Sequence, residues 1–220
     1  GYAMTIYRLR DAATLAEACY KAERIIKPPV IKSLDHDDVQ AHLLKGNVLL
    51  LPGSNSVRDY VKFNLRPLRL GDQPLVLKTA TSAEKGASGT KWHQGFLRYS
   101  IVIFDWLKRE GVQPKYIIGH SLGAAAAQIL SKTYNAPAIG FAAPRPKWSK
   151  HGVVQDGRCL LVNRTDDPVP RVPSAYHHMG KTKLFKSKKH RTIFAHSMSH
   201  YIKIIEEDNK FKTLPETWGG

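Results

Sequence analysis

The sequence predicts an α/β fold, a largely parallel sheet with helices on both faces, from three observations. Short, almost wholly apolar runs at residues 47–51, 115–118, 136–141 and 159–163 read as strands buried on both sides. Longer stretches with helical spacing, such as 95–110 and 123–134, separate them, and a parallel sheet needs such crossovers. The run at 115–118 passes into the next helical stretch through Gly119-His120-Ser121-Leu122-Gly123, a G-x-S-x-G turn. A serine at the tip of such a turn takes a strained backbone conformation, and the flanking glycines let strand and helix pass close together.

Taken in order, residues 11–26 carry Leu15, Ala18, Cys19, Ala22, Ile25 and Ile26 at helical spacing, and Pro28-Pro29 ends the stretch. This predicts a helix packed across the sheet. Residues 35–44 read as a second, short helix. Its His36 and His42 stand beside Asp37 and Asp38 without further ligands at zinc spacing, so no metal site is expected there. Beyond the strand at 47–51, residues 57–70 set Val57, Tyr60, Val61, Phe63, Leu65, Leu68 and Leu70 among Arg58, Lys62, Arg66 and Arg69. That pattern suits either a mobile amphipathic cover or an ordinary covering helix. Residues 180–185 and 191–194 read as late strands.

The 220 residues, 42% hydrophobic, suit one domain spanning 1–220. The longest apolar runs fall far short of the roughly 18 residues a membrane span needs. After Met4 no apolar signal core follows, so the expected location is inside the cell or outside it by export without a visible signal. Cys19 and Cys159 make no disulfide framework and read as buried thiols. The formal charge is +16, and from residue 168 to 205 there is no Asp or Glu, while Arg171, Lys181, Lys183, Lys186, Lys188, Lys189, Arg191 and Lys203 all fall there. A field of one sign attracts polyanions, either anionic lipid surfaces or nucleic acid. The lysine run lacks interleaved aromatics for base stacking, which argues against nucleic acid.

Ser121, held at the turn and expected to be exposed, is the candidate nucleophile, and a serine hydroxyl needs a base, an acid to orient it, and donors for the developing oxyanion. In sheets with this elbow the chain order is serine, acid, histidine. Between Ser121 and His200 the carboxylates are Asp156, Asp166 and Asp167. Asp156 sits in a polar loop. Asp166 and Asp167 follow the strand at 159–163, where Pro168 and Pro170 stiffen the turn. The histidines after them are His177, His178, His190, His196 and His200. His190 lies within the basic run, with no carboxylate to orient it. The backbone N–H of Leu122, directly after the serine, is the first oxyanion donor. This chemistry calls for no cofactor and no metal.

Several segments together resemble the class 3 lipases, the fungal-lipase-like α/β-hydrolases. Leu51-Pro52-Gly53-Ser54-Asn55-Ser56-Val57-Arg58-Asp59-Tyr60 is similar to that family's oxyanion loop and lid start, and Ser88-Gly89-Thr90-Lys91-Trp92-His93-Gln94-Gly95-Phe96-Leu97 to its lead into the helix before the elbow. Phe141-Ala142-Ala143-Pro144-Arg145 resembles its Pro-Arg loop, Asp167-Pro168-Val169-Pro170-Arg171-Val172-Pro173 its acid turn, and His196-Ser197-Met198-Ser199-His200-Tyr201-Ile202 its H-S-x-x-x-Y-I stretch. The resemblance runs in family order over residues 47–205. It implies Asp167 as the acid, His196 as the base with His200 as the fallback, and Ser54 as the second oxyanion donor. It also implies that His177 and His178, in a Tyr-x-His-x-Gly-like segment, are structural. The activity it implies is a serine carboxylester hydrolase acting on lipid esters, of lipase or phospholipase A type, and the motifs do not separate triacylglycerol lipase, phospholipase A and soluble-ester esterase; the basic charge of residues 168–205 points to an anionic membrane surface as a peripheral contact. The competing reading is a catalytically idle module of the same fold that binds anionic membranes or nucleic acid.

Overall fold

A computed structural model describes residues 5–21, 26–36, 39–53, 68–70, 73–75, 83–85, 90–148, 158–187 and 193–219. In chain order the elements are β1 (Ile6–Arg8), α1 (Leu9–Ala18), β2 (Val30–His36), β3 (Val39–Leu44) and β4 (Val48–Leu51). Short strands β5 (Leu68–Leu70), β6 (Gln73–Leu75), β7 (Ala83–Lys85) and β8 (Lys91–His93) precede α2 (Gln94–Glu110). Then come β9 (Tyr116–His120), α3 (Leu122–Tyr134), β10 (Ala138–Phe141), β11 (Cys159–Arg164), β12 (Lys181–Phe185), α4 (Met198–Glu207) and β13 (Thr217–Gly219).

The main sheet has seven strands in the order β12-β11-β10-β9-β4-β3-β2. From β12 to β4 all neighbours are parallel, and β3 and β2 add an antiparallel edge. The apolar runs are explained by the pleat, which sends successive side chains to opposite faces. Leu49, Ile117 and Leu161 join the core beneath α2 and α3, while Leu50, Ile118 and Leu160 join the core beneath α1 and α4. With both faces buried, β4 and β10 and the apolar parts of β9 and β11 carry no polar alternation.

The glycines of the elbow are required by proximity. A Cβ on Gly119 would lie 2.7 Å from the Gly123 carbonyl carbon, and one on Gly123 would lie 2.7 Å from the Leu51 carbonyl carbon and 2.8 Å from the Pro52 oxygen. The first turn of α3 therefore rests directly on the end of β4.

Three expectations are corrected. The short helix at 35–44 is the β2–β3 hairpin: Val39, Ala41 and Leu43 are buried while Gln40 is exposed and His42 half-buried. That alternation of period two is a strand pattern, and His42 Nδ1 bonds Ser33 Oγ across the hairpin at 2.8 Å. The first helix begins earlier and ends at Ala18, where Tyr20 and Lys21 turn back onto the Glu17 and Ala18 carbonyls. Ile193 and Phe194 belong to a 3-10 turn over Ile193–His196 rather than to a strand. Of the segment 57–70, only β5 lies within the described residues, and it forms a hairpin with β6. No helix among the described residues is long and apolar enough to cross a membrane.

Candidate active site

Ser121 stands between β9 and α3 with φ 60° and ψ −123°, a left-handed conformation costly for a residue with a side chain. Its N–H donates to the Phe141 carbonyl at 2.9 Å, and its own carbonyl accepts from Ala124 and Ala125, so strand and helix together hold the strained residue. The side chain is 2% exposed, which corrects the expectation of an open serine. The backbone at Gly53 covers it, for a Cβ there would come within 2.7 Å of Ser121 Cβ.

His196 ends the 3-10 turn Ile193–His196, just before α4. Its Nε2 lies 2.6 Å from Ser121 Oγ, and its Nδ1 lies 3.0 Å from Asp167 Oδ2. A carboxylate only accepts, so Nδ1 carries the proton and the Nε2 lone pair faces the serine hydroxyl. Asp167 is 1% exposed and fully engaged: Oδ1 accepts from Val169 N–H at 3.0 Å, and Oδ2 accepts from both His196 and the Tyr201 hydroxyl, the latter at 2.8 Å. Burial pushes this carboxyl up, yet His196 and the three donated hydrogen bonds outweigh it and hold Asp167 below the usual carboxylate range.

Asp166, one residue earlier, has a different partner. Arg164 grips it through Nε and Nη2, each at 2.8 Å, and the same guanidinium reaches the His200 carbonyl and Ser187 Oγ, both at 2.9 Å. His200 sits one turn into α4 with its carbonyl bound in this way. His178 donates from Nε2 to the Ala143 carbonyl at 2.7 Å. Leu122 is the first residue of α3, where the opening N–H groups of a helix have no acceptor within the helix. Ser54, Asp156 and His190 lie outside the described residues.

Tyr201 received no role from sequence reasoning, although it is the tyrosine of the H-S-x-x-x-Y-I stretch, five residues after His196. Its hydroxyl accepts from Arg164 N–H at 3.0 Å and donates to Asp167, and burial followed by the Asp167 charge pushes its ionisation far up. It is thus a neutral donor that fixes the carboxylate. His120, the residue before Ser121, also meets this site. Its Nε2 lies 2.8 Å from the carbonyl of His196, and its ring stacks on the His196 ring with centroids 4.9 Å apart.

Two histidines predict acid sensitivity. His120 is lowered to about 3 by burial and then by the neighbouring His196; His178 is lowered to about 4, mainly by burial. Both folded values lie below the unfolded one, so as pH falls through about 6.5 the unfolded chain takes up protons that the folded chain refuses. Stability is therefore lost on acidification from about pH 6.5 downward, by up to about 1.4 kcal/mol per pH unit for each group. Asp167 adds a loss of the same sign only below the ordinary carboxylate range. Denaturant unfolding at pH 7, 6, 5 and 4.5 should show this early decline, and a flat profile down to pH 5 would refute it.

Comparison with known proteins places the fold. Among solved structures the chain is similar to the Lip2 lipase of Yarrowia lipolytica, at 14% identity and TM-score 0.53 over 98% of this chain and 97% of that one. It is also similar to the Rhizomucor miehei lipase in its propeptide complex, at 17% identity and TM-score 0.54 over 82% and 70%. A third is the Penicillium expansum triacylglycerol lipase, at 17% identity and TM-score 0.51 over 84% and 80%. The chain has the α/β-hydrolase fold of the fungal lipases, and the resemblance read from its motifs extends to three dimensions across most of its length. No protein-family profile matches the chain. In sequence it matches the bifunctional ligase/repressor BirA of Salmonella typhimurium, at 31% identity over 123 residues, 55% of this chain and 35% of that protein. The chain spans about a third of the length of that relative.

Proposed function

We propose that this protein is a serine carboxylester hydrolase acting on lipid esters. The observation that carries the reading is the continuous Ser121–His196–Asp167 hydrogen-bonded line, set beyond the carboxyl ends of parallel strands. In this mechanism Ser121 Oγ bonds to the ester carbonyl carbon as its proton passes to His196 Nε2. The carbonyl π electrons move to oxygen, and the Leu122 N–H receives that oxyanion, with Ser54 as the proposed second donor. Collapse expels the alcohol, which takes the proton from Nε2 and leaves an acyl-serine. Water, deprotonated by the same nitrogen, then attacks the acyl carbon, and the carboxylic acid leaves as Ser121 regains its proton. Asp167, fixed by Tyr201 and Val169, orients the imidazole and stabilises it while charged.

Lipid esters are favoured over small soluble esters by the likeness to proteins whose names are lipase, and by the charge. β12 runs parallel to β11, so its carboxyl end and the exposed Lys186 emerge at the end of the sheet where Ser121 and Asp167 stand. Arg171, on the acid turn, is exposed as well. We take an anionic membrane surface as the partner of this side. The test is turnover of short and long p-nitrophenyl esters, emulsified triacylglycerol and phosphatidylglycerol vesicles by the purified protein. Failure to cleave any of them, with the fold intact, would sink the reading in favour of a binding module.

A further expected outcome isolates the charge. Each cation near an anionic surface contributes about 1 kcal/mol, screened over about 10 Å at 0.1 M salt. Changing Lys186, Lys188 and Lys189 to Gln should weaken binding to phosphatidylglycerol vesicles at least tenfold, as added salt does, with p-nitrophenyl butyrate turnover unchanged. Unaltered vesicle binding would return the basic stretch to a solvated face.

A further inference from the structure

Resting on the hydrolase reading, we infer that Tyr20 and His120 are positioning residues, a hydrogen-bonded chain that ties the loop covering Ser121 to the backbone of His196. The chain runs from Gly53 N–H to the Tyr20 hydroxyl at 2.8 Å, from that hydroxyl to His120 Nδ1, and from His120 Nε2 to the His196 carbonyl at 2.8 Å. It joins parts of the sequence that are otherwise far apart: the turn after α1, the loop after β4, the elbow and the turn before α4.

Every proton in this chain has one possible direction. A carbonyl only accepts, so His120 Nε2 must carry a proton toward His196. In the neutral ring Nδ1 is then an acceptor, and the Tyr20 hydroxyl must donate to it. The tyrosine oxygen is thereby left to accept from Gly53 N–H. The ring is held neutral by burial, at 4% exposure, which matters because it stacks on His196. A charged ring there would oppose the imidazolium that His196 becomes during the reaction.

Two consequences reach the reacting atoms. Gly53 N–H is taken by Tyr20 and does not serve the oxyanion, which leaves the donor role on that loop to residues beyond it. The Gly53 backbone also stands so close to Ser121 that a Cβ would lie 3.1 Å from both Ser121 Oγ and the Tyr20 hydroxyl. A loop this near the nucleophile, linked to the base by oriented bonds, keeps the two halves of the site in register. Tyr20 is 45% exposed as a whole, yet burial is the main cause that raises the ionisation of its hydroxyl: the ring meets solvent on its outer side while the hydroxyl lies inside, bonded to Gly53 and His120.

The experiment compares Tyr20→Phe, His120→Asn and the double variant on p-nitrophenyl butyrate. Loss of register by a fraction of an ångström lowers the chemical step and spares binding, so kcat should fall about tenfold or more in each single variant with KM within about twofold. Because both residues act through one chain, the double variant should lose no more than the worse single variant. Unchanged kcat in Tyr20→Phe, or losses that multiply, would overturn the inference. A second measurement does not depend on turnover or on any variant folding: ring-nitrogen NMR of the wild-type protein should show His120 neutral with its proton on Nε2 from pH 8 to 5. A proton on Nδ1, or titration of that ring within the range, would overturn it. Should the wild-type protein prove inactive and unreactive toward a fluorophosphonate, the hydrolase reading fails while the His120 tautomer still reports whether the chain exists.

Discussion

Ser121→Ala should lower ester hydrolysis by about ten-thousandfold or more, because members of a triad act as a unit and losing the nucleophile leaves only binding and the oxyanion donors. The fold should survive. The change deletes one oxygen and keeps a Cβ that the strained φ of 60° already accommodates. It gives up the hydrogen bond to His196, worth about 1 kcal/mol, so the melting temperature should move by no more than about 4 °C. His196→Ala should match the activity loss, whereas His200→Ala should keep most of the rate, since His196 is the imidazole bonded to Ser121 and the His200 carbonyl that accepts from Arg164 survives the substitution. Residual activity above about a tenth of wild type in Ser121→Ala, with unchanged melting, would remove the nucleophile assignment. A large loss in His200→Ala with His196→Ala active would move the base.

Gly123→Ala should have the opposite signature, a large loss of stability with activity failing as a consequence. The added Cβ would stand 2.7 Å from the Leu51 carbonyl carbon and 2.8 Å from the Pro52 oxygen, both backbone atoms that no rotamer change can clear. To relieve that contact α3 must move off the end of β4, which opens the core between Leu51, Leu122 and Ala126. Overpacking against backbone costs about 3 kcal/mol, which in a chain of this size lowers the melting temperature by about 6 to 12 °C. Calorimetry alongside the ester assay separates the two cases. A Gly123→Ala protein with wild-type melting and wild-type turnover would show that strand and helix have slack the structure denies.

The elbow was legible because all its parts are local. The apolar strand, the glycines at 119 and 123 and the small-residue helix lie within one short stretch, and their reasons are steric. The order of the candidate acid and base was legible too: few carboxylates and histidines follow Ser121, and His196 lies in hydrogen-bond contact with both Ser121 and Asp167. The choice between Asp166 and Asp167 needed the motif resemblance, since neighbouring residues in one turn share composition and spacing. In three dimensions they differ plainly. Asp166 faces the Arg164 guanidinium and Asp167 the imidazole. Residues 35–44 were expected to be a helix; the period-two burial of Val39, Ala41 and Leu43 is set by the pairing of β3 with β2 and β4, which the local sequence does not show.

By itself, then, the sequence determined the parallel α/β scaffold, the elbow and the serine–acid–histidine order, since each depends on residues adjacent in the chain or on their order along it. Tertiary structure alone decided that Ser121 is covered, that Tyr201 fixes Asp167, that Arg164 claims Asp166, and that Tyr20 and His120 join Gly53 to His196. Most of those contacts link residues widely separated along the chain, and a side chain's hydrogen-bond partner is set by where the packed sheet and helices deliver it. Periodicity and spacing carry no record of that delivery, so these roles became visible only once the strands were in register.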